Sequence, residues 1–569
     1  MIVNRKHGAR ALVTAATVVL RHPTLKQALT SKITTRSLIW LSVGVVVTLA
    51  LASGGALAQA PSDACAALDP NAAILSSGFG LNPSNTRNTV SSITASNVHR
   101  LRLRFALGGS AQEKRGAPAV TEQALFYSVG NQIVAAARST GCTFWTATLT
   151  NPASGATDLP RSSSLLLVDN PSGGRMLFVG SMSGVVYGLD AAEGSTVWSA
   201  RVSTDSLHIV TGGMQFNAGR LFVPVATGQV ISASIPGSAC CSSRGRVVAF
   251  NAFSGAFMWA FDPVPPGGSG GSVWSALSID PARNQLLVGV GQNLTQPATD
   301  LSDAIVAIDL DNGAVKWSFQ ATAGDAWHAG CQSDPPINCP APEGPDFDFG
   351  AGAILTDLPG SGGQVVIAGD KGGSVFSLDP ATGALNWSTK IGVGGKLGGI
   401  HWGLAVDDTG VYAGVSDLFT NKIVRLDSGQ ASTGFNPGAT PGVYKLDLLT
   451  GDVLWEVHRT HVFESQVVPS AFSAAVSVTN DVVFASALDG ELFALRASDG
   501  AQLWSFQANI QLTAPDGSAV QGGTLDSVGA FAVDDMVLLN SGYTTFGGRN
   551  LVNAGPGNAL FVFELEDRQ

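Results

Sequence analysis

Two short stretches hold most of the reactive side chains in this 569-residue chain. "SACCSSRG" sets Cys240 directly beside Cys241, and "TAGDAWHAGC" carries Asp325, Trp327, His328 and Cys331. A neutral imidazole has the pKa of a general base, and Asp325 is close enough in sequence to orient His328. His328 reads equally well as a loop residue near Cys331. Bonded cysteines usually hold their Cα atoms about 4.4–6.8 Å apart, against about 3.8 Å for neighbours across a trans peptide, so bonding the adjacent pair needs a functional reason. Asp346 and Asp348 in "GPDFDFG", and His401 with Trp402 in "GGIHWG", are further candidates for a pocket. There is no Gly-x-Gly-x-x-Gly helix entry, phosphate-binding Lys loop, His-Glu-x-x-His, Gly-x-Ser-x-Gly or zinc-type Cys/His spacing, which removes nucleotide, hydrolase and zinc-protease readings.

Such residues need a scaffold, and the chain repeats. Seven Gly–Trp pairs recur at one spacing: Gly141–Trp145, Gly194–Trp198, Gly255–Trp259, Gly313–Trp317, Gly383–Trp387, Gly451–Trp455 and Gly500–Trp504. Each follows an apolar run and an Asp or small residue, as in "GGSVFSLDPATGALNW". The pattern predicts a strand, a tight Asp-x-x-x-Gly turn and a strand opened by the Trp. β-Repeats of this size with Gly-rich turns predict propeller blades, with the tryptophans as packing anchors. An eighth blade is assembled from both ends, "VHRLRLRFAL" (98–107) beside "ALFVFELED" (559–567), which removes two exposed edges. The expectation is an all-β propeller of about eight blades spanning 61–569.

Residues 1–60 predict a signal peptide with a long basic n-region: seven Lys or Arg and no acid by Arg36, an apolar core over 38–52, and Ala-x-Ala sites for cleavage after Ala58 or Ala60. An uncleaved anchor is the alternative, although the core is short for a span of roughly 20 residues. Export allows disulfides, and all six cysteines lie beyond residue 60. The expected pairs are Cys65–Cys142, Cys240–Cys241 and Cys331–Cys339. The mature chain keeps 25 basic residues against 42 acidic ones and has no basic patch, so nucleic acid is excluded and a basic redox protein would be attracted.

The "xVxALDxxTGxxxW" repeat resembles that of the pyrroloquinoline quinone (PQQ) dehydrogenases, eight-bladed periplasmic quinoproteins that oxidise alcohols. "GFGLNPSNTRNTVSSITASNVHRLRLRFAL", "TGGMQFNAGRLFVPVATG", "CCSSRG", "GPDFDFGAGAIL" and "GGIHWGLAVDD" are similar, in the same order, to the polyvinyl alcohol dehydrogenase branch. The haem-binding Cys-x-x-Cys-His segment common in that branch is absent from this sequence. The resemblance implies PQQ and Ca²⁺ as cofactors, oxidation of secondary alcohols such as those of polyvinyl alcohol to ketones, and a separate cytochrome c as electron acceptor. It implies a cofactor pocket of Trp274 on one face of the quinone, the Cys240–Cys241 disulfide on the other, Lys371 on the quinone carbonyls, Thr211 on a cofactor carboxylate, and Arg244 nearby in a largely structural role. Asn293 is implied as a Ca²⁺ ligand.

The sequence departs from the family pattern at two places. The acid expected before the cysteine pair is Ala239, and the Trp-Asp pair that supplies the family's base reads Trp327-His328. His328 and Asp325 are therefore the expected catalytic pair. The competing expectation is a quinoprotein-like propeller without catalysis, serving as a binding or assembly scaffold. Substrate specificity is expected in the long loops 149–164 and 425–441.

Overall fold

The structure is a computed structural model that describes residue 65 and residues 67–109, 116–360, 362–418, 434–544 and 551–566. The leader, the expected cleavage sites and part of the 425–441 loop lie outside these residues. Residues Pro61–Gln569 form one compact unit. Among the described residues no helix is long and apolar enough to cross a membrane.

Eight antiparallel sheets follow one another along the chain as the blades of a propeller, numbered here in chain order. Blade 5 is typical: Ile354–Asp357 innermost, then Gln364–Gly369, Ser374–Leu378 and Leu385–Lys390 outermost. Blade 8 takes its three inner strands from the C-terminal end and its outermost, Leu101–Leu107, from the N-terminal end, paired antiparallel with Ala559–Leu565. This is the closure expected from the two lone strands. The core is correspondingly divided into eight apolar clusters, one between each pair of neighbouring blades.

The repeat motif now has a physical reading. In blade 5 the Asp379 carboxylate accepts the amides of Ala381 and Thr382 at 2.9 and 2.8 Å, and Gly383 turns the chain with φ +71°. A positive φ is cheap only for glycine. The register then slips by one residue, a bulge that brings Trp387 opposite Ser377. The indole N–H of Trp387 donates to Leu448 O of blade 6 at 3.2 Å, and Gly451 of blade 6 lies flat against its ring. The same bond joins Trp145 to Ala191, Trp198 to Ala252, Trp259 to Leu310, Trp317 to Pro380 and Trp455 to Ala497. The repeated glycine is thus both a turn residue and the flat seat for the preceding blade's indole. At the seam the pattern changes: Gly141 of blade 1 faces Phe105, Leu107 and Pro515, and Trp504 packs on Phe563.

A belt at the N-terminal end ties the inner strands together. Ile74 and Ser76 pair with blade 1, and Ser77, Pro83, Ser84, Thr86 and Arg87 offer carbonyls to the amides of Leu167, Ile279, Leu355, Val406 and Val478 in blades 2, 4, 5, 6 and 7. Ser92 N then donates to Asp534 O of blade 8. Arg87, 1% exposed, donates to Val476 O, Phe79 O and Val528 O at 2.6–2.7 Å, and its guanidinium lies 4.9 Å from the Phe79 ring centroid. Burial pulls its pKa down to about 9, which leaves it charged at neutral pH. Phe79 joins Trp402 and Tyr543 in an apolar cluster against which the partly buried Trp274 packs.

A Cβ at Gly383 would lie 2.4 Å from the Trp317 ring while the backbone keeps a positive φ. Gly383→Ala is therefore expected to cost roughly 2 kcal/mol or more, read as a lower urea midpoint with an unchanged slope.

Candidate functional site

The site is built from two kinds of loop, connectors between blades and turns between the two middle strands of a blade. Trp274, on the connector into blade 4, donates its indole N–H to Asp348 Oδ2 at 2.5 Å. Lys371, in the turn between the two middle strands of blade 5, holds Asp348 Oδ1 at 2.8 Å and Asp346 Oδ2 at 2.9 Å. All three charged groups are at most 5% exposed. A Cβ at Gly350 would fall 2.2 Å from the Trp274 ring, so the glycine is what lets the 346–350 connector approach it. The neighbouring carboxylates raise the Lys371 pKa despite burial. An ammonium has three donors. With Asp346 and Asp348 taking two, one remains for another acceptor.

Beside this triad lies a second pair of acids. Asp303 and Asp325 are both 0% exposed, and among the described residues neither Asp303 oxygen nor Asp325 Oδ1 has a hydrogen-bond partner. Asp325 Oδ2 accepts the Phe347 amide at 2.9 Å. Burial first, then repulsion from Asp325, Asp348 and Asp346, drives the Asp303 carboxyl well above the usual range. Burial also raises Asp325 and Asp346, and pushes Asp370 up to about 7. Buried oxygens short of donors are the chemistry a hard divalent cation satisfies.

Asn293, 1% exposed, is held in the same layer: its amide donates to Asp325 O at 3.2 Å and its carbonyl accepts from Trp327 N at 2.9 Å. Its side chain here caps the adjoining turn, donating to Ser269 O and accepting from Thr299 N and Oγ1 at 3.3 and 3.1 Å. The site oxygens with neither a hydrogen bond nor an ion pair are those of Asp303, Asp325 Oδ1 and Asp346 Oδ1, not the Asn293 amide.

Cys240 and Cys241 are bonded to each other, with Cα atoms 3.0 Å apart across a cis peptide rather than the trans spacing assumed from sequence. The pairs Cys65–Cys142 and Cys331–Cys339 also form as expected. The buried Gln229 clamps the loop of the adjacent pair: its Nε2 donates to Ala239 O, and its Oε1 accepts Ser242 N and Ser243 N, both at 2.8 Å. Asn338, inside the Cys331–Cys339 loop, donates to Ala233 O and Ser238 O. No carboxylate takes the place of Ala239 in this loop, whose side chains from 238 to 245 include no acid.

The expected pairing of His328 with Asp325 does not form. His328 Nδ1 accepts the Gly330 amide at 3.1 Å, capping a short 3₁₀ turn, and Nε2 lies 2.9 Å from Asn338 O and 3.6 Å from Cys240 Sγ. Both ring nitrogens are therefore engaged by the 328–339 loop, while the Asp325 carboxylate turns to Phe347 and Asp303. The extended backbone at His328 points its ring into its own turn, which three residues of sequence separation do not reveal. Arg244 donates to Val264 O at 2.8 Å and lies 3.5 Å from Asp262, holding that turn. Thr211 is buried, and the next residue, Gly212, packs on the main chain of Trp274 and Ser275.

Sequence reasoning passed over Asp303, Gln229 and Asn338. Asp303 had a signal, an acid opening the apolar strand Ala304–Asp309. Gln229 had none, since its partners are backbone atoms of a loop 10 to 14 residues away.

A family profile described as "Glucose/ethanol/alcohol dehydrogenase, beta-propeller domain" matches residues 79–391, and one described as "Outer membrane protein assembly factor BamB" matches 302–553. The chain is 31% identical to a polyvinylalcohol dehydrogenase of Pseudomonas sp. over 504 residues, 84% of this chain and 74% of the relative. It is 30% identical to a polyvinylalcohol dehydrogenase of Sphingopyxis sp. (strain 113P3), again over 84% of this chain and 74% of the relative. In fold it is similar to the quinohemoprotein alcohol dehydrogenase of Comamonas testosteroni, with TM-score 0.63, 19% identity, and coverage of 87% of this chain and 81% of the other.

The raised carboxyls give a pH dependence with a definite sign. The folded chain holds protons that the unfolded chain has released, so stability falls as pH rises from the ordinary carboxylate range through the raised values. The cation-free protein is expected to melt lower at about pH 8 than at about pH 6. Asp303→Asn should flatten that slope and gain about 1 kcal/mol or more at the higher pH, and saturating Ca²⁺ should restore only the wild type, both read by scanning calorimetry.

Proposed function

The chain belongs to the PQQ-dependent alcohol dehydrogenase family, and from that premise we propose that it oxidises secondary alcohol groups, foremost those of a polyvinyl alcohol-like polymer, to ketones. The observation that carries this reading is the likeness to two polyvinylalcohol dehydrogenases along 84% of the chain. The site supports it with a partly buried indole, a bonded cysteine pair, a buried lysine paired with two aspartates and buried carboxylate oxygens short of donors. A scaffold without catalysis has no use for uncompensated buried carboxylates, which are costly to fold around.

In this proposal Trp274 covers one face of PQQ and the Cys240–Cys241 ring the other. Lys371 offers its remaining N–H to the quinone carbonyls, and Thr211 offers its hydroxyl to a carboxylate. Asp303 and Asp325, with Asn293 alongside, would hold Ca²⁺ through oxygen donors. PQQ supplies a two-electron acceptor and Ca²⁺ a Lewis acid. Gln229 and Asn338 hold the loop of the cysteine pair in place. The chain is exported to the periplasm after cleavage near Ala60, and a basic cytochrome c, drawn by the acidic surface, takes the electrons.

Purified apoprotein given PQQ and Ca²⁺ is expected to change its absorption spectrum and to reduce a dye with 2-propanol, 1,3-diols or polyvinyl alcohol. Neither a spectral change nor dye reduction with any secondary alcohol would overturn the reading. Replacing both Cys240 and Cys241 with Ser is expected to weaken PQQ binding at least tenfold by absorbance titration, about 1.4 kcal/mol.

A further inference from the structure

Two disulfide-bearing loops meet at the cysteine pair. Cys240 and Cys241 lie in the turn between the two middle strands of blade 3, and Cys331 and Cys339 in the connector from blade 4 to blade 5. Asn338 ties the second loop to the first at Ala233 O and Ser238 O, and Gln229 ties the start of the first loop to the cysteine pair. The stretch from Gln229 to Ser238 is a run of tight turns. Ser232 N donates to Gly228 O, Ala233 N to Gln229 O, Ile235 N to Ser232 O and Ser238 N to Ile235 O, all at 3.0–3.1 Å. Ser238 Oγ adds bonds to Ser232 O and Ile235 O at 2.8 Å.

This braced ridge turns apolar groups to solvent. Ile231 is 63% exposed and Ile235 57%, four residues apart, the spacing that sets two side chains on one side of helical turns. Pro236 and Ala239 are exposed in the same loop, and Pro335 and Pro336 in the other. The fold does not need isoleucine at these places, because main-chain and serine bonds already hold the turns; exposed apolar side chains grouped in this way mark a contact surface. The surface is also uncharged. Residues 228–243 hold no charged side chain and 329–342 hold one, Asp334, in an acidic chain. A basic electron carrier is drawn to acids, which this ridge lacks. A neutral polymer of alternating methylene and hydroxyl-bearing carbons fits it, its hydrocarbon on isoleucine and proline and its hydroxyls left to water. Position gives a second reason. A polymer with one hydroxyl at the quinone leaves the pocket over one of its walls, and Ala239, the exposed end of the ridge, adjoins Cys240 of the cysteine wall.

We propose that Ile231 and Ile235, with the exposed prolines of the two loops, form a docking ridge for the segments of a polyvinyl alcohol-like chain that lie outside the pocket. The inference rests on the PQQ and polymer reading above. Contact on the ridge holds the chain while one of its hydroxyls occupies the pocket, so it adds affinity for polymer and none for a small alcohol. Ala239, where the family pattern has an acid, keeps the ridge uncharged up to the cysteine pair.

Two measurements test this. In apoprotein labelled at its isoleucine methyls, the Ile231 and Ile235 resonances are expected to shift on adding polyvinyl alcohol and to stay in place with 2-propanol at equal hydroxyl concentration; no shift with the polymer overturns the proposal. In the PQQ- and Ca²⁺-loaded protein, Ile231→Ser combined with Ile235→Ser is expected to raise KM for polyvinyl alcohol ~10-fold, with kcat and both constants for 2-propanol unchanged. Ile235→Ser alone serves if the double variant does not fold. An unchanged polymer KM overturns only this inference, and slowed reoxidation by a cytochrome c alongside it gives the ridge to the electron acceptor instead. An equal rise in KM with both alcohols also overturns it. Wild-type protein that reduces no dye with either alcohol overturns the function proposed above together with this inference.

Discussion

Everything in this protein depends on how the inner edges of eight sheets are satisfied. A propeller turns its innermost strands toward a narrow axis, where an unpaired amide is buried and costs free energy unless it finds an acceptor. The 74–92 belt answers that need by giving successive carbonyls to successive blades, and Arg87 collects three more carbonyls at the centre. The belt also fixes the relative height of the blades. Because Trp274 and His401 sit on connectors between blades, and Asn293 and Lys371 in turns of two different blades, their mutual positions inherit that height.

The site is expensive for the same reason that it is useful. Asp303, Asp325, Asp346 and Asp348 are almost completely buried near one lysine, in a region whose low polarity strengthens both attraction and repulsion. Lys371 is paired with Asp346 and Asp348, and Asp303 and Asp325 beside them carry oxygens that no donor reaches among the described residues. Rigid blades hold this arrangement in place: the tryptophan-to-carbonyl bonds between blades and the Asp-x-x-x-Gly turns leave the connectors few ways to relax. The cysteine pair is held equally firmly, by Gln229 and Asn338 rather than by its own covalent ring alone.

Most of the fold was legible in the sequence because its determinants are local. A Gly and a Trp four residues beyond it, often with an Asp four residues before the Gly, encode turn, bulge and inter-blade anchor within nine residues, and seven of the eight blades repeat the pair. The closing strand pair was legible because a lone strand at each terminus has only one edge left to join. The site was legible in part. Trp274 stood out by breaking the blade spacing, and Lys371 by its match to the family pattern. His328 misled, since whether an imidazole faces a cavity or its own turn depends on a backbone torsion that residue type does not specify.

By itself, then, the sequence determined the number of blades, their closure, the three disulfides and the family, because each rests on short-range periodicity or on residues whose chemistry admits few partners. Tertiary structure alone decided which acids meet Lys371, which acids are left facing each other, that His328 is spent on its loop, and that Gln229 and Asn338 brace the loop of the cysteine pair. Those contacts join residues tens to more than one hundred positions apart. Their geometry is set by the shared axis on which eight blades and one belt converge, and no local pattern of residues encodes it.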